Sequence, residues 1–342
     1  MSKKSSNITL KDLADKIGFN VSTISRVLNG KGDEYRISKE TQKIIKDAAK
    51  KHNFTPNLTA RGLRLKKSHT IGISIPDISN PFFSTIVRGL ENEFRKSGYS
   101  IVLCDSQDKI EIEIENLQIL KNRNVDGLIV CPVGTNSDHL VDILKSIPLI
   151  IIDRYFPELP LQYVSSNNYQ GAYDAVNYLV SKGHRDIACI QGIVGTSPND
   201  ERIRGYRDAL IKHKIDINET NIVGGNYNIE TGYIETKLLL TRKNPPTAMF
   251  TFSNMISLGA LKAIKEDNKS IPEDISIISF DDHPYSDFLH TPLNSVRQQI
   301  ALMGNISAKL ILDRIKGVQN YEQQGVLLPT EFIERQSVKN LK

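Results

Sequence analysis

The chain of 342 residues has no tryptophan, four methionines and only three cysteines. Cys104, Cys131 and Cys189 are odd in number, far apart and set in apolar stretches. That pattern argues against a disulfide framework or a cysteine-based metal cluster and reads as buried, reduced thiols. Long hydrophobic runs are also missing. The strongest, Leu149 to Ile152, falls far short of the roughly 20 residues that cross a bilayer, so no membrane partner is expected. The opening MSKKSSNITL carries lysines but no apolar segment, so no secretory signal is read there and a cytoplasmic protein is expected. Catalytic signatures are absent too: no GxSxG elbow, phosphate loop, GxGxxG after the first strand or HExxH. His184, in SKGHRDI, is the one histidine that invites a role as a base, and it falls where a loop enters a strand. No catalytic residue, cofactor or metal ligand is assigned, and the chain reads as a non-enzyme.

What is present is an uneven charge distribution. Residues 1–67 hold 16 Lys and Arg against 6 Asp and Glu, whereas the remainder holds 28 against 33. A small basic head on a mildly acidic body points to a polyanion engaged by the head.

In that head, TLKDLADKIGFNVSTISRVLN (9–29) reads as two short helices. Thr9 can cap the first, with Asp12 completing a capping box. Leu10, Leu13, Ala14 and Ile17 form one apolar face, Gly18 ends the helix, and Asn20 caps the second. Val21, Ile24, Val27 and Leu28 supply the apolar positions of that second helix. Ser22, Thr23, Ser25 and Arg26 lie off the core face and suit phosphate and base-edge contacts. Two helices about a glycine turn describe a helix-turn-helix, although an ordinary helical hairpin shares the pattern. A third helix is expected from Ser38 to about His52, with Ile44, Ile45, Ala48 and Ala49 inward and Lys39, Lys43, Lys46 and Lys50 outward. The segment from Pro56 to Lys67 has room for about two helical turns, too few to persist alone in water. It reads either as a linker or as a hinge helix that orders on DNA and pushes Leu63 into a minor-groove step.

From Ile71 onward short apolar runs alternate with amphipathic stretches. Strands are expected at 71–75, 101–104, 127–130, 149–152, 187–190, 222–224, 248–252 and 275–280, with helices at 82–96, 112–123 and 137–145. Strands that are apolar throughout imply parallel sheets covered on both faces. Two sets of them, without a defensible sequence repeat, suggest two doubly wound lobes. Ligands of such sheets bind beyond the carboxyl ends of the strands. Residues just after strands are therefore candidates: 77–83, Asp105, Asp153, Arg154, Asn167, 192–202, Tyr227, Ser253, Asn254, Asp281 and Asp282. Carboxylates, amides, an arginine and aromatic rings converging between two lobes suit a polyol. Each of them could instead cap the next helix, Asp105 and Asn254 above all.

The run Thr9-Leu10-Lys11-Asp12-Leu13-Ala14, then Gly18, then Thr23 to Asn29, with Pro56-Asn57, Ala60-Arg61 and Leu63, resembles the LacI/GalR family of bacterial regulators over essentially the whole chain. The resemblance implies an all-α helix-turn-helix head (1–55), a hinge (56–68) and a type I periplasmic-binding-protein-like α/β body (69–342). Lobe 1 would span about 69–166 plus 298–327, and lobe 2 about 167–297 plus 328–340. It implies a homodimeric, sequence-specific regulator of double-stranded operator DNA. That regulator would be a repressor of carbohydrate-utilisation genes controlled by a small sugar or sugar derivative bound between the two lobes, with a nucleobase-responsive repressor of the same fold as the alternative. By that resemblance Val21 and Ser22 would read bases, Arg26 would bond a base or phosphate and Leu63 would intercalate; Thr9, Thr23, Ser25, Asn29, Asn57, Ala60 and Arg61 complete the candidate DNA-contacting set. By the same resemblance Phe82, Phe83, Asp153, Arg202, Tyr227, Asn254 and Asp281 would line the ligand cleft, and the post-strand positions Asn80, Asp105, Arg154 and Asn167 complete the candidate ligand set. Asn80-Pro81-Phe82-Phe83 with the Asp153-Arg154 pair looks more like the sugar-responsive members than the nucleobase-responsive ones. A transport-type sugar-binding protein is opposed by the basic head. The chain departs from the family in its longer loop Gly30–Ile37, in Phe19 and Asn20, and in Ser166, Met255 and Ser279. No leucine-heptad tail follows residue 337, which favours a dimer over a tetramer.

Overall fold

The computed structural model describes residues 8–52, 54, 67–159, 161–318 and 325–342. It divides into two units, residues 1–68 and 69–342, and each is taken by itself.

In the first unit, α1 (Leu10–Ile17), α2 (Val21–Leu28) and α3 (Lys39–Lys51) surround a small core. The Thr9 side chain accepts from the Asp12 N–H while Asp12 accepts from that of Thr9, a complete capping box. Gly18 ends α1 at φ 72°, a left-handed turn that costs glycine little. Asn20 caps α2 by accepting from Ser22. Leu13, Ile24, Val27, Ile45 and Ala49 make up the core with Ala14, and Phe19 packs against it. Two packing expectations are overturned. Val21, at the first position of α2, is 39% exposed and lies outside the core. Ile44 is 46% exposed because Gln42, Ile45 and Ala49, at i, i+3 and i+7, form the inward face of α3.

The second unit holds two six-stranded sheets. The first contains β1 (Thr70–Ile75), β2 (Ser100–Asp105), β3 (Gly127–Val130), β4 (Leu149–Ile152), β5 (Tyr163–Ser166) and β11 (Gly325–Leu328), in the order β11-β5-β4-β3-β1-β2. The second contains β6 (Ile187–Gln191), β7 (Ile222–Gly224), β8 (Ala248–Thr251), β9 (Ser276–Phe280), β10 (Asn294–Arg297) and β12 (Glu331–Ile333), in the order β12-β10-β9-β8-β6-β7. Every pairing is parallel except β10 with β12, which is antiparallel and so breaks the all-parallel expectation at one edge. Position for position, the two orders are the same.

The intervening helices are α4 (Pro81–Lys96), α5 (Ile110–Asn122), α6 (Asp138–Leu144), α7 (Asn168–Ser181), α8 (Ser197–Lys212), α9 (Ile229–Leu240), α10 (Asn254–Glu266) and α11 (Ile300–Ile315). Alternation along the strands fills both sides of the first sheet. Ile129, Ile150 and Ile152 join Phe82, Phe83 and Met303 on one side. Leu128, Val130, Leu149 and Ile151 join Leu117 and Leu120 on the other. Burial on two faces is what makes these strands apolar throughout. In the second lobe α9 and α10 cross backbone to backbone at Gly232 and Gly259. A Cβ on either would stand 2.0 Å from a carbonyl oxygen of the other helix.

The cysteines are unpaired; Cys131 and Cys189 are buried as expected, but Cys104 is only partly so. His184 is buried between the Thr247 hydroxyl (2.9 Å) and the Lys339 carbonyl (3.1 Å), and burial pushes its pKa down. Its role is to tie the C-terminal segment to the sheet. Among the described residues no helix is long and apolar enough to cross a membrane.

Candidate functional site

Beyond the carboxyl ends of both sheets lies a cleft with an empty volume of about 490 Å³, its mouth included. The first lobe lines it with Asn80, Phe82 and Phe83 at the start of α4 and with Asp153 and Arg154 after β4. The second contributes Arg202 of α8, Tyr227, Asn254 at the start of α10, and Asp281 after β9.

Asp153 and Asp281 occupy corresponding places in the two lobes. Both have left-handed backbone, at φ 66° and 80°, a strained state for a residue with a side chain that persists only where surroundings impose it. Here the neighbouring strand imposes it: the Asp153 N–H donates to the Val164 carbonyl (2.8 Å), and that of Asp281 to Val296 (2.9 Å). The two carboxylates differ in their partners. Asp281 accepts from the Asn254 N–H (3.2 Å) and from the Gln298 amide (2.5 Å). Asp153 is approached by the Cys131 thiol at 3.9 Å, while its Oδ1 is buried without a partner among the described residues. Burial pushes the Asp153 carboxyl above the usual range, and nearby Arg154 and Arg202 offset this only in part.

The arginines are held by protein groups. Arg202, 3% exposed, donates from Nε to Asn168 (2.8 Å) and from Nη1 to the Phe252 carbonyl, with its guanidinium 3.6 Å over the Phe280 ring. Arg154 donates to the Pro132 carbonyl (3.4 Å) and pairs with Asp108 at 3.3 Å. Tyr227 lies flat over Gly192, where a Cβ would fall 2.1 Å from its Cζ. Asn80 caps α4 and also accepts from the Asn254 amide (3.2 Å), joining the two lobes across the cleft.

Two sequence candidates do not line the cleft. Asp105 ends the edge strand β2, and its carboxylate accepts from the N–H groups of Ile78 (3.2 Å) and Gln107 (2.8 Å). Asn167 caps α7 through Gln170 (3.1 Å). Both are spent on local turns. Conversely, Asp77, Asp108, Pro198, Ser253 and Gln298 line the cleft besides the ligand contacts named from the sequence. Asp77, Pro198 and Ser253 fall within the post-strand windows. Asp108 lies past the β2 turn, and Gln298 follows β10, a strand too polar to be read from sequence.

On the head, Val21, Ser22, Arg26 and Asn29 are exposed and Thr23 and Ser25 partly so. The Asn29 amide donates to the Ser25 carbonyl (2.6 Å) and closes the end of α2. Thr9 is engaged in the capping box. Asn57, Ala60, Arg61 and Leu63 lie outside the described residues.

Residues 9–57 match the profile of bacterial regulatory proteins of the lacI family, and residues 176–338 that of the periplasmic binding protein-like domain. The ribose operon repressor of Haemophilus influenzae is 32% identical over 337 residues, covering 98% of this chain and 99% of that protein. A LacI-family regulator from Enterococcus faecium, solved with bound ribose, is 32% identical with a TM-score of 0.72, covering 80% of this chain and all of that one. The lac repressor dimer bound to operator and the anti-inducer ONPF has a TM-score of 0.87 at 24% identity, covering 98% of this chain and 100% of that one, a likeness of fold.

Proposed function

The chain belongs to the LacI family of bacterial regulatory proteins, and from that premise we propose that it is a cytoplasmic homodimeric repressor whose operator binding is governed by a small neutral sugar. Residues 1–55 read the operator through Thr9, Val21, Ser22, Thr23, Ser25, Arg26 and Asn29. Residues 56–68 form the hinge that carries Asn57, Ala60, Arg61 and Leu63, and 69–342 bind the sugar and the partner protomer. The protein catalyses nothing; sugar binding shifts the dimer between states that do and do not hold the hinges together.

The observation that carries the sugar reading is a set of buried acceptors. Asp153 Oδ1, Asn254 Oδ1 and Gln298 Oε1 have no partner among the described residues, and all three residues line the cleft. Buried polar atoms of this kind ordinarily find a hydrogen bond, and sugar hydroxyls are donors of the right kind. Four carboxylates line the cleft against two guanidinium groups, and those two are already engaged by protein acceptors. The balance suits a neutral ligand better than an acidic one. Two relatives point the same way: one is named as a ribose operon repressor, the other was solved with ribose.

A thermal-shift screen of the full chain against neutral pentoses and hexoses, hexuronates and nucleobases tests the reading. A ligand at 100 times its Kd stabilises by about 2.7 kcal/mol. Neutral sugars are expected to raise Tm; a response confined to hexuronates or to nucleobases would overturn the assignment.

A further inference from the structure

The loop between α2 and α3, residues 30–37, is built around one side chain. The Gln42 amide, 8% exposed, donates to Asp33 Oδ1 (2.8 Å) and to the Ile37 carbonyl (2.9 Å). Gly32 lies so close that a Cβ there would stand 2.4 Å from Gln42 Cδ. Main-chain bonds from Lys31 to Arg26 (2.9 Å) and from Ile37 to Gly32 (2.8 Å) close the loop at both ends. Its outer surface carries Tyr35, which is 45% exposed. The Arg26 guanidinium lies over that ring, 4.0 Å from its centroid.

We propose that Tyr35 is a positioning residue for DNA reading: it stacks beneath Arg26 and presents the guanidinium edge to a base in the major groove. The proposal rests on the operator-reading role assigned to α2 and adds a residue from the loop to it. A cation–π contact uses the face of the guanidinium, whereas its N–H donors lie in the plane. Stacking therefore fixes the group without consuming a donor, and among the described residues the Arg26 N–H groups have no hydrogen-bond partner. An arginine in the last turn of an exposed helix otherwise samples many rotamers, and it must give up that freedom to make a two-pronged contact with a base. A ring held by a loop that is itself pinned from the core side removes part of that cost before DNA arrives. The loop's hydrogen bonds do not involve the Tyr35 side chain, so the head should fold without the ring.

The test starts with the full chain and random-sequence duplex DNA, from which a preferred site is selected. Binding is then measured at one fixed salt concentration, because salt alone moves such affinities by orders of magnitude. Arg26→Ala should weaken binding to the selected duplex about 5- to 150-fold, the size of one bidentate base contact. Tyr35→Ala should weaken it about 3- to 10-fold while leaving a scrambled duplex within about twofold, and Tyr35→Phe should keep wild-type affinity within about twofold. The double variant Arg26→Ala/Tyr35→Ala should bind no worse than Arg26→Ala alone. A Tyr35→Ala loss that persists in the Arg26→Ala background, or that falls equally on the scrambled duplex, would overturn the positioning role. So would a Tyr35→Phe loss as large as that of Tyr35→Ala, which would put the hydroxyl on a phosphate instead. If the wild-type chain selects no sequence at all, operator reading by α2 falls, and this role falls with it.

Discussion

Replacing Asp153 with Asn should stabilise the protein in the absence of sugar and weaken its hold on sugar, two effects of opposite sign from one nearly isosteric change. Asp153 is 6% exposed, and burial pushes its carboxyl above the usual range. The sign follows from linkage. A carboxyl whose folded pKa is raised favours the native state only while protonated, so that contribution is present below the unfolded value and is lost as pH rises through the folded one. At neutral pH the charged group is therefore a cost, and Asn removes it. Asn also tolerates the φ of 66° at this position better than most residues, so no new strain enters. Gains of this kind at functional positions run to about 1 kcal/mol, or a Tm rise of about 2 °C for a body of this size.

The effect on sugar runs the other way. Asn keeps an acceptor oxygen in place of the unpartnered Oδ1, so what is lost is the charge assistance. Hydrogen bonds to charged groups contribute about 1.5–3 kcal/mol and neutral ones about 1. The difference, about 1–2 kcal/mol, corresponds to about 5- to 30-fold in Kd. Titration calorimetry with ribose, or with whichever neutral sugar gives the largest thermal shift, reads the affinity, and a melt without sugar reads the stability. The wild type should also lose affinity as pH falls through the raised pKa, because protons compete with the sugar hydroxyl for the carboxylate, whereas the Asn variant should show a flatter profile. Unchanged affinity would remove Asp153 from the ligand site, and a lower Tm would show that its charge is satisfied by groups other than a ligand.

Gly259→Ala forces a Cβ to within 2.0 Å of the Ile229 carbonyl, with backbone on both sides and nowhere to yield; it should cost the body about 2–3 kcal/mol in denaturant unfolding, and a change below about 0.5 kcal/mol would mean that α9 and α10 do not cross there. Gln42→Leu leaves the Ile37 carbonyl without its donor; amide exchange over residues 30–37 should quicken as about 1 kcal/mol of local stability is lost, and unchanged exchange would count against the loop's attachment. For Asp282, burial alone would push the carboxyl up, but Arg335, Ser295 and Arg297 hold it below the usual range, so its contribution is present above the unfolded pKa and lost as pH falls through the folded one. Arg335→Met should therefore cost about 2 kcal/mol at neutral pH, a difference that narrows in acid; a gap constant with pH would contradict the pairing.

The helices of the head were legible because each signal is local: a capping pair three residues apart, a glycine at the turn, and a 3.6-residue period. Ile44 misled because Gln42 took the inward position, and a glutamine is read as inward only when its partners, Asp33 and the Ile37 carbonyl, are known. Likewise β3, β4, β8 and β9 announce themselves as apolar runs, since both faces of their sheets are covered. β10 does not. Its Asn294 and Ser295 are fully buried, and several of their partners come from far along the chain, although Asn294 Nδ2 is buried without one among the described residues. Ser337 donates from its N–H to Asn294 Oδ1 (3.0 Å) and accepts from the Asn294 N–H (2.8 Å), while Arg335 donates to the Ser295 hydroxyl (2.9 Å). No window of sequence contains that compensation, so neither the strand nor Gln298 stands out in the sequence. Asp105 and Asn167 erred in the opposite direction. The position after a strand carries ligand groups and helix caps alike, and only the observed hydrogen bonds separate the two.

The two sheets share one strand order although their sequences show no repeat, and the resemblance extends to the chemistry. Asp153 and Asp281 follow corresponding strands, in the same left-handed backbone state, each with its N–H on the next strand. A ligand that engages both carboxylates is held by equivalent points of two lobes and so acts on the angle between them, which is what a sensing domain has to convert into a signal. The equivalence is deliberately incomplete in its surroundings. Asp281 is already fastened to the start of α10 and to Gln298, whereas Asp153 keeps an unpartnered oxygen in a buried place. The second lobe thus presents a finished carboxylate and the first an unfinished one. Of the two carboxylates, Asp153 is therefore the one at which a ligand hydroxyl would supply a bond that the protein itself does not make.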